Sequence, residues 1–321
     1  MTMQQPIESP FGMRSTAAEV IEGVDLKGKT ALVTGGYSGL GGETVRTMAK
    51  AGARVIVGAR RPEVAAADLD GTSGEITILP IDLSNPGSID AFAAEVTRQT
   101  DYINILINNA AIMACPLARD ERGYESQFAT NHLGHFQMTA RIWSLLLSAG
   151  AGTRVVALSS IGHARSGVDL SDPHFLRRDY EKWTAYGQAK TANALFAMHL
   201  DEIGKPSGIR AFAVHPGGIK TPLQRFLTME EQIALGWFDK DGTPNPLFKS
   251  PEQGAATSIW CAVSPLLDNE GGVYCEDCNI AAIWTEDMHP YVGVRPHAID
   301  RDTAAALWTA SENMTGVAFP A

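Results

Sequence analysis

The sequence predicts an α/β fold, a doubly wound parallel sheet with helices on both faces. Short β-rich apolar runs alternate with stretches of helical spacing, the rhythm of βαβ units. Within those runs the apolar residues are near-continuous rather than alternating, as strands buried on both faces require. The chain has 321 residues, enough to bury one sizeable core, and shows no composition break, internal repeat or low-complexity segment.

The elements follow in order. Residues 1–27 read as an N-terminal arm with a short helical piece around Thr16–Glu22. Thr30–Thr34 is the first strand and ends in glycines. Leu40–Ala51 has helical spacing and stops at Gly52. Arg54–Gly58 and Ile76–Ile81 are the second and third strands. Pro86–Thr100 is a helix, with Pro86 suited to its first turn. Ile103–Ile107 is the fourth strand. Glu121–Leu147 reads as one long helix, closed by Ala149-Gly150-Ala151-Gly152. Arg154–Leu158 is the fifth strand, Thr184–Ile203 a helix and Ile209–Val214 the sixth strand. Pro251–Val263 is helical, and Gly272–Tyr274 is a short last strand. The expected organisation is the arm, then a single domain over 28–321, with a lid around 222–246 and a C-terminal extension after 276.

Composition excludes several classes. The chain is 45% hydrophobic and 19% charged, which sets it apart from a disordered one. Twenty-six basic against 36 acidic residues give a net charge of −10, which argues against a broad nucleic-acid-binding face. Four cysteines are no disulfide scaffold and fit a reducing compartment. No run approaches the ~18 apolar residues of a membrane helix. The polar stretch Met1–Pro10 lacks a basic and apolar signal pattern. A cytoplasmic location without membrane or nucleic-acid partners is the expectation.

The chemistry begins at Thr34-Gly35-Gly36-Tyr37-Ser38-Gly39-Leu40-Gly41, between the first strand and the first long helix. Glycines there permit a tight turn and close backbone approach to a pyrophosphate, and the helix N-terminus behind them attracts its charge. Gly23-Val24-Asp25-Leu26-Lys27-Gly28-Lys29-Thr30 matches an ATP-binding P-loop in letters only. Its Lys-Thr pair opens a strand rather than a helix. Tyr186 and Lys190 stand four apart on one helix face. An ammonium there favours the phenolate and is expected to lower the tyrosine pKa. Ser160 ends the fifth strand at the C-terminal edge of the sheet, where ligands of open α/β sheets bind. At the end of the second strand, where an acid would accept from a ribose 2′-hydroxyl, stands Ala59, followed by Arg60 and Arg61. Two guanidiniums without a carboxylate suit a 2′-phosphate, with Ser38 adding a neutral hydrogen bond. The cofactor expected is therefore NADP(H).

Over roughly residues 28–275 the chain resembles the short-chain dehydrogenase/reductase family, whose fold is Rossmann-type. The glycine loop, Asp82-Leu83, Asn108-Asn109-Ala110, Ser160, Tyr186, Lys190 and Pro216-Gly217 carry the likeness. Asn131 lies in Asn131-His132-Leu133-Gly134-His135-Phe136. That string, the strand ending in Ser159-Ser160 and the 26-residue gap from Ser160 to Tyr186 are similar to the retinol dehydrogenase and WW-domain oxidoreductase branch. So are Phe11, Ser15-Thr16 and Glu22-Gly23 of the arm. One departure is Ala111, where the branch carries glycine.

The resemblance implies hydride transfer between a nicotinamide and a carbonyl or alcohol. It makes Asn131, Ser160, Tyr186 and Lys190 catalytic. Tyr186 donates the proton, Ser160 orients the carbonyl, Lys190 also holds the nicotinamide ribose, and Asn131 fixes a water leading from Lys190. Cofactor contacts fall on Gly35, Tyr37, Ser38, Gly39, Leu40, Gly41, Arg60, Arg61, Asp82, Leu83, Asn109, Ala110, Ala111, Tyr186, Lys190, Pro216, Gly217, Ile219 and Thr221. Asp82 faces the adenine amine, while Ile219 and Thr221 bracket the carboxamide. Apolar residues in the lid, among them Leu223, Phe226, Leu227 and Trp237, suit a hydrophobic small molecule. A homodimer or tetramer is the family expectation. Cys275-Glu276-Asp277-Cys278 is read as packing rather than metal, since no second pair stands at zinc spacing. Two alternatives share parts of this pattern. A nucleotide-sensing protein on the same fold typically loses the tyrosine or lysine. A sugar-nucleotide epimerase or dehydratase has different glycine spacing and a longer substrate domain.

Overall fold

The computed structural model describes residues 2–319. Strands β1 (Thr30–Thr34), β2 (Arg54–Ala59), β3 (Glu75–Pro80), β4 (Ile105–Asn108), β5 (Thr153–Leu158), β6 (Ile209–His215), β7 (Val273–Glu276) and β8 (Asn279–Ile280) form one sheet. Their spatial order is 3-2-1-4-5-6-7-8. All neighbours pair in parallel except β7 and β8, which pair antiparallel. The order reverses between β1 and β4, so their carboxyl ends open the crevice in which such sheets bind ligands. Residues of β1, β4, β5 and β6 are buried throughout, which is why their apolar runs are continuous.

Helix α1 (Ala17–Ile21) opens on a capping box between Thr16 and Glu19. On one face of the sheet lie α2 (Gly39–Lys50) and α10 (Pro251–Val263), with Val45, Met48, Ile259 and Trp260 in their core. On the other lie α4 (Pro86–Gln99), α6 (Gly134–Arg141), α7 (Trp143–Ala149) and α8 (Lys182–Gly204), with Ile89, Phe92, Phe136, Leu146 and Phe196 buried. Short helices α3 (Pro62–Asp68), α5 (Ser126–Phe128) and α9 (Met229–Ala234) occupy connections.

Three parts differ from the sequence expectation. The long helix expected over 121–147 is broken. Residues 120–124 form a turn in which Asp120 Oδ1 accepts from the N–H groups of Arg122 and Tyr124, each at 2.9 Å. Buried Glu125 then caps α5, a π-helical turn spans Ala129–Leu133, and the helix breaks again at Ile142. Beyond β6 the chain adds an antiparallel edge. Asp277 and Cys278 have φ of 50° and 56°, and the Glu276–Asn279 pairing makes them the two-residue turn of a β-hairpin. The Cys-x-x-Cys spacing thus brackets a turn, and Cys275 and Cys278 are both fully buried. Finally, α11 (Arg301–Thr315), capped by Asp300, stacks Trp308 on Phe196 of α8 with ring centroids 5.8 Å apart.

The arm is strapped to this new edge. Gln4 Nε2 donates to the carbonyls of Tyr274 (2.8 Å) and Ala281 (2.7 Å), and Gln4 Oε1 accepts from Tyr274 N (2.8 Å). Asn279 holds both the N–H and C=O of Ile7 at 2.9 Å. Arg14 donates to the carbonyls of Pro246 and Phe248, at the base of the lid segment. The arm therefore supplies the partners that an edge strand otherwise leaves to solvent. Gln4→Ala is expected to lower the unfolding free energy by about 1–3 kcal/mol, since three partly buried hydrogen bonds are lost together. Equilibrium denaturation of the variant measures it.

Candidate active site

The carboxyl ends of the strands frame one cleft of about 1350 Å³. Along it lie Gly35, Tyr37, Ser38, Gly39, Leu40, Gly41, Arg60, Arg61, Asp82, Leu83, Asn109, Ala110, Ala111, Ser160, Tyr186, Lys190, Pro216, Gly217, Ile219 and Thr221. Every candidate from the sequence except Asn131 lines it.

The glycine loop forms a cradle too narrow for side chains. A Cβ at Gly41 would stand 2.4 Å from the Gly35 carbonyl oxygen. Ser38 takes the N-cap position of α2 without a side-chain capping bond, so its hydroxyl is not spent on the helix. Asn109 locks the loop from behind. Its Nδ2 donates to the carbonyls of Thr34 (2.8 Å) and Gly35 (3.2 Å). Its amide thus holds the cradle in shape while the residue also lines the cleft. At the far end of the cleft Asp82 Oδ1 accepts from Ser84 N (2.9 Å) and Oγ (2.6 Å). Arg60 and Arg61 are exposed just before α3, and Pro62 opens that helix rather than a simple turn.

Tyr186 and Lys190 stand in the first turns of α8, whose start is capped by Glu181. Both are buried, at 3% and 2% exposure. Ser160 Oγ accepts from Gly162 N at 3.0 Å, which leaves its own O–H to donate. No sequence signal marked the contact of Gly162 with Ser160 and Tyr186. The Tyr186 ring lies so close that a Cβ there would come within 2.6 Å of its Cε1.

Electrostatics at the pair depart from expectation. Burial pushes the Tyr186 phenol up to about 12, opposed by its hydrogen bond with Ser160. Burial pushes Lys190 down from 10.5 to about 7. Lys190 Nζ donates to the Leu158 carbonyl at 2.8 Å and stands 5.6 Å from the Tyr186 ring centroid. In the protein alone Lys190 therefore does not lower the tyrosine pKa. A lysine that titrates near neutrality supplies only part of a positive charge, and desolvation dominates both groups.

Asn131 stands behind the residues that line the cleft. It sits fully buried in the π-helical turn. Its Oδ1 accepts from Ile112 N and its Nδ2 donates to Ile112 O, each at 2.9 Å. Its carbonyl faces His135 Nδ1 at 2.9 Å. The side chain pins the loop after β4 to the helix.

The sequence also missed part of the wall. Lys249, only 6% exposed, pairs with Asp277, and both line the cleft beside Gly217 and Glu276. Glu276 lies opposite His215 in the β6–β7 pairing, and burial raises it to about 7 while Gly293 N, bound at 2.7 Å, opposes the shift. Met13 of the arm and Tyr291 of the C-terminal extension reach the same cleft. The only local signal was the Ser250-Pro251 helix start next to Lys249. Over Tyr186, the apolar wall consists of Met113, Ala114 and Leu227, with Trp183, Leu223, Leu235 and Trp237 packed on it.

The model of the short chain dehydrogenase family matches residues 29–232. The chain belongs to the short-chain dehydrogenase family. A probable oxidoreductase of Streptomyces antibioticus is 43% identical, over 89% of this chain and 97% of its own. Mouse retinol dehydrogenase 12 is 35% identical, over 92% of this chain and 88% of its own. The crystal structure of an uncharacterized protein from Mycobacterium paratuberculosis superposes with a TM-score of 0.73 at 30% identity, covering 94% of this chain and 98% of that one. The protein is thus an oxidoreductase of this family, whose members use nicotinamide cofactors. The residues present fit such a group. The cradle excludes side chains, Ser38 and both arginines are unspent, and the sheet edge opens at its switch point. No helix among the described residues is long and apolar enough to cross a membrane.

The depressed lysine has a consequence for stability. Between pH 7 and 10.5 the unfolded chain holds a proton that folded Lys190 does not, so its contribution to stability rises with pH across that window. Below about pH 7 the cost of burying the ammonium is present in full. Lys190→Met is therefore expected to gain more stability at pH 6 than at pH 9 in the cofactor-free protein. Chemical denaturation at the two pH values decides it, and an equal gain at both would refute the shift.

Proposed function

We propose that the protein is an NADP(H)-dependent oxidoreductase interconverting a carbonyl and an alcohol of an apolar small molecule. The observation that carries this reading is the cleft itself. One end holds the buried Ser160–Tyr186 hydroxyl pair, and the other holds Arg60 and Arg61 where NAD-preferring sheets carry an acid.

The cofactor, when bound, supplies or accepts hydride at the carbonyl carbon. Gly35, Gly39 and Gly41 hold its pyrophosphate against the α2 N-terminus, and Asp82 with Leu83 holds its adenine. Ala110, Ala111, Pro216, Gly217, Ile219 and Thr221 line the channel toward Tyr186. With its pKa near 12, Tyr186 keeps its proton at neutral pH and serves as donor to the oxygen of a substrate carbonyl. Ser160, its oxygen already accepting from Gly162, donates to the same oxygen and orients it. Lys190 holds its nitrogen at the Leu158 carbonyl, at the edge of the ribose channel. The wall around Leu227 and Trp237 excludes water from the phenol and favours an apolar substrate. The retinol dehydrogenase relatives act by name on an apolar alcohol, which supports this substrate class without the retinoid itself.

Tyr186→Phe is expected to lower turnover of an apolar ketone by roughly 10²–10⁴-fold while NADPH binding stays within a few-fold, because it removes only the proton donor. Activity within a few-fold of wild type would overturn the assignment. Arg60→Ala is expected to weaken NADPH binding roughly ten- to a hundredfold, since it deletes hydrogen bonds to a charged group, and to leave NADH nearly unchanged. Titration with both cofactors measures the ratio, and a wild-type preference for NADH would overturn the NADP(H) reading.

A further inference from the structure

Arg60 and Arg61 are not alone at the nucleotide end of the cleft. A third guanidinium, Arg225, lines the same cleft, in the segment between Thr221 and α9. That segment is rooted against the glycine loop, since a Cβ on Gly39 would stand 3.1 Å from Thr221 Cγ2. Arg225 is aimed by its own neighbours. Its Nη1 donates to Pro222 O at 3.2 Å, and its guanidinium lies 4.9 Å from the Phe226 ring centroid.

The surroundings of Arg225 are positive. Burial lowers its pKa below the usual arginine value, and so do Arg60 and Arg61, while Cys115 and Tyr37 act in the opposite sense. No carboxylate is among these neighbours. None of the three arginines is ion-paired with an acidic side chain among the described residues. Three exposed guanidiniums on one cleft without a counter-charge leave a local positive site, in a protein whose net charge is −10. A dianionic phosphate placed among them neutralises that site and accepts bidentate hydrogen bonds from each planar fork.

We propose that Arg225 completes a three-arginine site for the cofactor's 2′-phosphate, so that the lid segment itself reads whether the bound dinucleotide is phosphorylated. This inference rests on the NADP(H) reading and adds a coupling to it. NADPH and NADH differ only in that phosphate. A ligand shifts a conformational equilibrium only by its differential affinity for the two states. The wall carrying Leu223 and Leu227 already packs over Tyr186, so the phosphate tethers that segment in place more firmly than the unphosphorylated cofactor does.

The test uses the full chain without carbonyl substrate. NADPH, NADH, adenosine 2′,5′-bisphosphate and ADP are titrated into wild type, Arg225→Ala and Arg60→Ala, and amide hydrogen exchange is followed over residues 222–235. Arg225→Ala is expected to lose about tenfold in affinity for NADPH and for the bisphosphate, and to bind NADH and ADP within twofold of wild type. Wild-type amides of the segment are expected to slow with NADPH more than with NADH, and Arg225→Ala to lose that difference. Equal losses for phosphorylated and unphosphorylated ligands, or equal slowing of wild type by both cofactors, would overturn the proposal while leaving the Arg60 result to stand. A wild type that binds NADH more tightly would overturn both readings. Arg225→Gln, which keeps a donor for Pro222 O, provides the same comparison where the alanine variant unfolds.

Discussion

Thr34 Oγ1, at the last residue of β1, accepts the N–H groups of Asn109 (3.0 Å) and Ala110 (3.1 Å) and faces His135 Nε2 at 2.8 Å. With two amides accepted, the hydroxyl has its proton left to give, so His135 Nε2 is the acceptor and Nδ1–H donates to the Asn131 carbonyl. Burial holds this imidazole neutral, with its pKa lowered to about 4, as that arrangement requires. One hydroxyl thus ties together the end of β1, the loop after β4 and the π-helical turn of Asn131. Asn131 returns the connection by clamping both backbone groups of Ile112. The cradle, the loop that borders the nicotinamide channel and the helix behind it are one hydrogen-bonded unit. A fully satisfied buried network of this kind specifies a single arrangement, because each unmade bond would leave a desolvated polar group.

Desolvation, which makes that network rigid, also sets the chemistry beside it. Tyr186 and Lys190 share a helix face, but the sheet and loops cover both so completely that burial outweighs their mutual field. The phenol stays protonated and the ammonium is held near its titration point. The cleft therefore holds a protonated phenol and a lysine whose charge depends on what is brought next to it. Tyr186, Arg60 and Arg61 line one cleft, the tyrosine buried and both arginines exposed.

The closing elements come from the chain ends. The β7–β8 hairpin extends the sheet beyond β6, and the arm caps its exposed groups through Gln4 and Asn279. Helix α11 docks across α8 and the π-helical turn, where Ser311 Oγ lies 2.8 Å from His132 Nε2. Thus the segments outside the matched family region, 233–319 and 2–28, brace the sheet edge and α8. They also place Met13, Lys249, Asp277 and Tyr291 on the cleft wall.

Strand positions, the glycine cradle, the Tyr186–Lys190 spacing and the absence of an acid after β2 were legible in the residues. Each is a local property, decided by side-chain period, turn chemistry or a separation of a few residues along one element. The break of the expected 121–147 helix was not legible, since the capping by Glu125 and the π-helical turn depend on Ile112, Ser311 and Leu83 packing from elsewhere. Nor was the role of Asn109, whose amide turns toward the loop because Thr34 and Gly35 present carbonyls to it. Sequence alone determined the fold, the family motifs and the spacing of Tyr186 and Lys190 along one helix face. Only the tertiary structure decided the burial that shifts Tyr186 and Lys190, the partner of Asn131 and the placing of Arg225 on the same cleft as Arg60 and Arg61. Desolvation and the encounter of distant segments exist only once the chain is packed.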